Sequence, residues 1–433
     1  MPLRTLAVDF NCFFASCEQQ ERPELRGKAV AVVPTMCDTT CVIAASYPAK
    51  ARGVTVGTGV WEARERCPGI VLVEARPRLY IDYHHQLLEV IESCIHVTEI
   101  KSIDEVECDL TGTFSPRPKA EAVANQIKTR LADRVGRSMT CSIGIAQNWL
   151  LAKMATDMQK PNGLVVLEDA DIPQRLLGLE LQDFLGIGPN IDRRLRARGI
   201  DTPAKLYSAT QAELRGVWGG VEGARMHARL RGENIPLPVV RNQTIGHSHV
   251  LPPRLRTSEK ALAVLHRLLQ KAVMRLRHIG HYAGALAVSV GYRDSSWSDE
   301  LQFNSTQDTL TLTHALNQLW SNQPATARRS TPFHVQVTLH RLLGMRGHTL
   351  DLFDQPKHDA RERLGHAIDT VNQTFGNGSV YFGGAHGVTE NAPMRISYTC
   401  IPKPEIEEID LRRCGRLRPR EEPSISYVDW GAS

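Results

Sequence analysis

The chain has 433 residues, 42% of them hydrophobic and 23% charged, with a formal net charge of +5. That length accommodates two to four domains with ordinary cores. No run of about 18 apolar residues occurs, which excludes a conventional membrane-spanning helix, and no repeat of about 20 to 50 residues occurs, which excludes a solenoid.

In chain order, residues 3–10, LRTLAVDF, read as an apolar strand that carries Asp9 near its end. The start of the chain enters this strand without a signal-peptide core, so a soluble, cytoplasmic protein is expected. The ten cysteines are scattered through apolar segments. Their nearest pairs, Cys12 with Cys17 and Cys37 with Cys41, lack the CxxC spacing of zinc and redox sites, so reduced and mostly buried thiols are expected.

Residues 101–112, KSIDEVECDLTG, set Asp104 and Glu105 side by side in a strand-like run. Successive strand residues point to opposite faces, so one carboxylate should meet a buried side, where its charge is costly unless something cationic compensates it. A metal ion answers that cost; a solvated edge strand avoids it. A helical segment follows at 120–135, then an alternating strand at 139–147. Residues 148–160, NWLLAKMATDMQK, have helical periodicity and stop at Pro161-Asn162-Gly163.

Leu185-Gly186-Ile187-Gly188 lies between two helical stretches. The spacing matches a helix-hairpin-helix, whose glycine turn lets backbone N–H groups approach a phosphate with no Cβ in the way; an αα-hairpin that only packs has the same pattern. A similar turn at 218–223, WGGVEG, precedes a further helix, RMHARLRGENI. From residue 245 onward the pattern is αβ: a long amphipathic helix at 258–280, a strand at 284–292, a second helix and a strand at 332–342.

Residues 241–350 hold 13 Lys and Arg against 5 Asp and Glu, a net charge of +8, whereas residues 351–433 have a net charge of −3. The basic bias suits a surface that contacts a phosphate backbone, and a merely solvated basic face gives the same count. The Pro-rich, mixed-charge segment after residue 350 is expected to be less ordered. The 16 histidines show no HExxH or paired-ligand spacing, GHSH at 246–249 reads as a linker turn, and no zinc site is expected.

Asp9 with Ser102-Ile103-Asp104-Glu105 gives three acids on two strands, an oxygen-rich set of the type that holds Mg2+ together with substrate phosphates. In order and spacing, VDFNCFFASCE, SYPAKARGV, SIDEVECDLT, SIGIAQNWLLAKMATDMQKPNG and LGIGPNIDRRLRARGI resemble the signature segments of Y-family (translesion) DNA polymerases. Within that family, CVIA and PAKARGV look closer to the UmuC type, the catalytic subunit of DNA polymerase V, than to the DinB type, DNA polymerase IV.

The resemblance implies an α+β multidomain, right-hand fold. Its parts are a palm (1–12 and 80–168), fingers (13–79), a helix-hairpin-helix thumb (169–240), an αβ little finger that binds DNA (241–350) and a tail (351–433). It implies template-directed, low-fidelity addition of dNTPs to a primer 3′-OH with two Mg2+ ions, for which Mn2+ can substitute. Asp9, Asp104 and Glu105 match the catalytic metal ligands, and the Phe10 carbonyl would complete one coordination sphere. Their adjacency then calls for irregular backbone at a strand turn close to Asp9.

Phe14 matches the steric gate that excludes a ribose 2′-OH, and a buried core Phe is the plainer reading. Cys41 and Ile43 match residues roofing the nascent base pair, while Tyr47, Lys50 and Lys160 match contacts to the triphosphate. The chain departs from the DinB pattern at Lys50, where that pattern has Arg, and at Ala44, where it has a hydroxyl residue. Gly186 and Gly188 of the hairpin, together with Arg254, Arg256, Arg275 and Arg277, are the expected DNA contacts.

Residues 349–353, TLDLF, resemble the Gln-Leu-x-Leu-Phe peptide that docks polymerases on the sliding clamp. Leu350, Leu352 and Phe353 would be its apolar anchors, with Thr349 in place of the usual Gln. The implied partners are primer-template DNA, dNTPs and the clamp, with a UmuD-like or recombinase accessory protein also open, no membrane, and a bacterial cytoplasmic location. Two other readings compete: a non-catalytic polymerase-like adaptor of the ImuB type, against which the retained acids argue, and a metal-dependent nuclease, which leaves Phe14 and the lysines unused.

Overall fold

The computed structural model describes residues 2–236, 243–347, 355–376, 378–389 and 401. Backbone contacts divide the chain into two units, the first chiefly residues 1–34 and 41–239, the second chiefly residues 240–396.

In chain order the first unit begins β1 (Thr5–Phe10), α1 (Phe13–Glu21), β2 (Val30–Val33), β3 (Ala44–Ala45), α2 (Tyr47–Lys50), α3 (Val60–Arg66) and β4 (Val71–Glu74). It continues α4 (Pro77–Glu92), β5 (Val97–Ile100), β6 (Glu105–Asp109), α5 (Arg117–Arg134), β7 (Cys141–Ala146), α6 (Trp149–Met158) and β8 (Leu164–Val166). The main sheet has the order β5-β6-β1-β7-β8, and a smaller sheet has the order β3-β2-β4. β1 is the central strand of the main sheet and all six of its residues are buried. A strand enclosed in this way reads as a continuous apolar run, so the single charge on it, Asp9, stands out.

Two local features bring α6 down onto that sheet. Asn148 caps the helix, its side-chain oxygen accepting from the Leu151 N–H at 3.0 Å, while its amide donates to the Arg229 carbonyl at 2.8 Å. Gly144 in β7 faces the helix so closely that a Cβ there would lie 2.0 Å from the Ala152 carbonyl oxygen. Only glycine leaves room for α6 at that distance.

After β8 come α7 (Pro189–Arg196), α8 (Pro203–Ser208), α9 (Gln211–Trp218) and α10 (Val221–Leu230). One apolar cluster, including Leu151, Met154, Phe184, Leu195, Leu214 and Leu230, joins these helices to α6. The first glycine turn departs from expectation. It is preceded by a single 3-10 turn, Leu181–Asp183, and not by an α-helix. The second turn has α-helices on both sides, α9 ending at Gly219 in the left-handed region (φ 78°) and α10 starting at Val221.

The second unit holds β9 (Thr244–Val250), α11 (Ser258–His278), β10 (His281–Tyr292), β11 (Ser296–Thr306), α12 (Thr309–Ser321), α13 (Ala325–Arg329), β12 (Pro332–His340) and α14 (Gln355–Phe375). Its sheet has the order β11-β10-β12-β9, and α11 and α12 close a core that includes Leu265, Leu269, Val288, Leu316 and Val337.

Two expectations fail here. GHSH at 246–249 lies inside β9, paired with β12, and is not a linker turn. Its buried His247 alternates with exposed Gly246 and Ser248, a period of two that polar residues disguise. The segment 355–375 forms a helix where a loosely ordered tail was expected. Asp369 of this helix receives the Arg277 guanidinium of α11, so an ion pair ties the helix to α11. The TLDLF segment at 349–353 lies outside the described residues.

Candidate active site

The antiparallel register of β1 and β6 sets Asp9 opposite Glu105, the first residue of β6. Asp104 precedes the strand, in the bend that joins β5 to β6. Its carbonyl accepts from the Phe10 N–H at 2.9 Å, and the Lys101 and Ser102 N–H groups both donate to the Glu105 carbonyl, at 3.0 and 3.2 Å. The backbone is therefore irregular at the two adjacent acids, which lets a turn residue and a strand residue both stand near Asp9. Two side chains hold the bend: the Ser102 hydroxyl donates to Asp104 Oδ1 at 2.6 Å, and His84 Nδ1 of α4 bonds the Ile103 carbonyl at 2.7 Å.

Such crowding of carboxylates is electrostatically expensive. Burial pushes the Asp104 carboxyl up to about 6; the Ser102 hydrogen bond opposes the rise, and the charges of Asp9 and Glu105 add to it. Two lysines offset the charge. Lys153 of α6 bonds Asp9 Oδ2, lies 3.0 Å from Glu105 Oε1 and 3.6 Å from Asp157 Oδ2. Lys160 reaches Asp9 Oδ2 at 2.8 Å and Asp157 Oδ1 at 2.7 Å. Burial acts to lower the Lys153 pKa, but Asp9, Glu105 and Asp157 outweigh it and the pKa rises.

Lys153 and Asp157 were not singled out from the sequence. The signal was present in NWLLAKMATDMQK: a lysine between the buried Leu151, Ala152, Met154 and Ala155 must have an anionic partner.

The donor set is all oxygen, two carboxylates from adjoining strands and one from the bend before β6, whose mutual repulsion calls for a cation, which is the chemistry of a hard divalent metal. The residues fit such an ion by type. As they stand, no three Asp, Glu, His or Cys among the described residues close around one metal position, and the Lys153 ammonium contacts both Asp9 and Glu105.

The chain matches the impB/mucB/samB family over residues 8–157 and that family's C-terminal domain over residues 242–358. It is 34% identical over 298 residues to DNA polymerase IV of Moorella thermoacetica, covering 67% of this chain and 74% of the relative. It is 30% identical over 385 residues to DNA polymerase IV of Pelotomaculum thermopropionicum, covering 87% and 93%. Among solved structures, a Y-family polymerase chimera of Dbh and Dpo4 superimposes with a TM-score of 0.66 at 23% identity, over 79% of this chain and 99% of the chimera.

The chain belongs to the Y family of DNA polymerases. Its type is DinB, not the UmuC type towards which CVIA and PAKARGV lean. The fold is the palm, fingers, thumb and little-finger architecture of that family.

Around the carboxylates of this Y-family polymerase, the structure gathers several of the residues anticipated at the nucleotide. Cys12, in the left-handed region (φ 49°), has its thiol pKa raised by burial against the opposing charges of Lys50 and Lys160. The Tyr47 hydroxyl is raised by burial and then by Cys12 and Asp9, and Lys50 Nζ sits 5.1 Å from the Tyr47 ring centroid. Lys50, Lys160 and Tyr47 thus act on one thiol, and Asp9 on the Tyr47 hydroxyl. Phe14 is buried on α1 and stacks on Tyr80 of α4, ring centroids 4.5 Å apart. Tyr80 donates to the fully buried Glu18 carboxylate at 2.9 Å, and Arg76 holds the same carboxylate from the other side. Cys41, exposed, bridges to Gly59, and the Ile43 N–H donates to the Val32 carbonyl at 2.8 Å beside the smaller sheet.

The arginines of the second unit correct the sequence reading. Arg275 is buried and donates to the Gly246 carbonyl at 2.7 Å. Arg277 is buried, bidentate on Asp369 at 2.6 and 2.8 Å, and bonded to Thr309 Oγ1 at 2.9 Å. Neither is available to a phosphate; both join elements of their own domain. Arg256 is engaged too, donating to the Leu251 carbonyl at 2.9 Å and lying over the Phe333 ring. Arg254 is exposed on the 3-10 turn Pro253–Leu255. Gly186 has φ +90°, whereas Gly188 is the extended residue capping α7 with open space around it. The described cysteines are free thiols, and no helix among the described residues is long and apolar enough to cross a membrane.

Proposed function

We propose that Asp9, Asp104 and Glu105 are the metal-binding carboxylates of this polymerase and that two Mg2+ ions, or Mn2+ in their place, are held there with help from the Phe10 carbonyl. The observation that carries this reading is that Asp9 of β1 lies opposite Glu105 at the irregular start of β6, with Asp104 next to it and raised by the charges of both, while Lys153 contacts Asp9 and Glu105. Metal bound there supplies a lowered pKa for the primer 3′-OH and neutralises charge on the leaving pyrophosphate. The chain's own residues bind and orient. Lys160 and Lys50 hold triphosphate oxygens as point charges, Tyr47 adds its hydroxyl, and Phe14, braced by Tyr80, blocks a ribose 2′-OH. Cys41 and Ile43 roof the nascent base pair, leaving room that suits low-fidelity, translesion synthesis.

Primer-template DNA is gripped through phosphate contacts at the glycine turn of Gly186 and Gly188 and at Arg254. Of the arginines anticipated there, only Arg254 keeps that role. A sliding clamp taking Leu350, Leu352 and Phe353 in a groove, and a bacterial cytoplasmic setting, complete the reading. The test is primer extension on undamaged and lesion-bearing templates with Mg2+ and with EDTA. Template-directed extension that needs the metal is expected; extension by Asp104→Ala equal to wild type would remove the residue assignment.

A further inference from the structure

Lys153 is the least ordinary group in the palm. Its side chain is 11% exposed, on a helix whose neighbouring positions are apolar, and its ammonium touches two of the three acids read as metal ligands. A buried ammonium is stable only where carboxylates compensate it, and the same is true of the carboxylates in the absence of another cation. Asp157, one helical turn on, is half exposed and only 3.6 Å from the same nitrogen. It is not among the acids read as metal ligands.

We propose that Lys153 is a built-in place-holding cation: it keeps Asp9 and Glu105 together until divalent metal arrives, and then withdraws towards Asp157. The inference rests on reading Asp9, Asp104 and Glu105 as metal ligands. Metal and ammonium want the same oxygens: the Lys153 ammonium bonds Asp9 Oδ2 and lies 3.0 Å from Glu105 Oε1, so it stands where an ion bridging that pair would sit and has to move for one to bind. Lys153 therefore sets an affinity threshold. The palm stays assembled without metal, and metal binds less tightly than three bare carboxylates would hold it. The lysine is a positioning residue, distinct from Lys160, which is more exposed and is read as a triphosphate contact.

The experiment uses the full chain without DNA or nucleotide. Free Mn2+ is followed by electron paramagnetic resonance during titration of wild type and Lys153→Met, and melting is measured in EDTA and in saturating Mn2+. In EDTA the variant is expected to melt below wild type; with Mn2+ it should bind about tenfold more tightly and show the larger metal-induced rise in melting temperature. A second measurement needs no variant: acetylation of wild type by N-hydroxysuccinimidyl acetate, read by mass spectrometry, should rise severalfold at Lys153 when Mn2+ saturates the protein. Unchanged or weaker Mn2+ binding in Lys153→Met, or acetylation of Lys153 indifferent to Mn2+, overturns the proposal. Failure of wild type itself to bind Mn2+ overturns instead the metal reading beneath it.

Discussion

The charges on the main sheet of the first unit and those of α11 in the second unit look alike in sequence and do opposite things. On β1 and β6 three acids and a lysine converge on one another and on open chemistry, with burial and repulsion raising Asp104. On α11 two arginines turn inward and are used up, Arg275 on the Gly246 carbonyl and Arg277 on Asp369 and Thr309. The acids of the proposed site repel one another, whereas the Arg277 guanidinium has its charge met by Asp369 and Thr309 within its own unit.

Four substitutions can break or sharpen that contrast. Arg277→Ala is expected to destabilise the second unit by about 3–5 kcal/mol, since it strands a buried carboxylate. Denaturant unfolding measures this, and DNA affinity of the folded variant should be unchanged. A phosphate-contacting Arg277 would give the reverse.

His84 tests the first unit. Burial lowers its pKa to about 4, against 6.5 ordinarily, so below pH 6.5 the unfolded chain gains a proton that the folded one refuses. Stability is therefore complete above about pH 6.5 and falls as pH drops towards 4, by about 3 kcal/mol in all. His84→Gln should flatten that acid limb in unfolding curves taken between pH 4 and 7, and a limb of unchanged steepness would remove His84 as its cause.

Phe14→Ala should raise incorporation of ribonucleotides relative to deoxynucleotides by about 100-fold, read as the ratio of kcat/KM values. An unchanged ratio would leave Phe14 as a core residue stacked on Tyr80. The smallest effect belongs to Arg254→Ala, which should reduce the salt slope of DNA binding by about 0.9.

The main sheet of the first unit was more legible in the sequence than the second unit, for a physical reason. Asp9 interrupts an otherwise apolar strand, and Asp104-Glu105 is an adjacent pair that no regular half-buried strand tolerates, so both announced a demand for cations. Lys153 was missed because periodicity assigns it to a helix without saying that Gly144 lets that helix lie on β7. The burial of Arg275 and Arg277 was hidden because their partners are remote: Gly246 lies in β9, mistaken for a linker, and Asp369 lies in α14, mistaken for a loose tail. In each case a polar contact between distant segments, which leaves no local pattern, decided the outcome.

Single-turnover primer extension by Asp104→Asn, with saturating Mg2+ and with DNA affinity measured alongside by fluorescence anisotropy, bears most directly on the carboxylates as the metal-dependent catalytic centre. The isosteric change keeps the Asp104 side chain's shape and removes its charge, so the rate is expected to fall at least about 1,000-fold, some 4 kcal/mol, with DNA binding retained. A variant that extends primer within a few-fold of wild type would contradict that assignment.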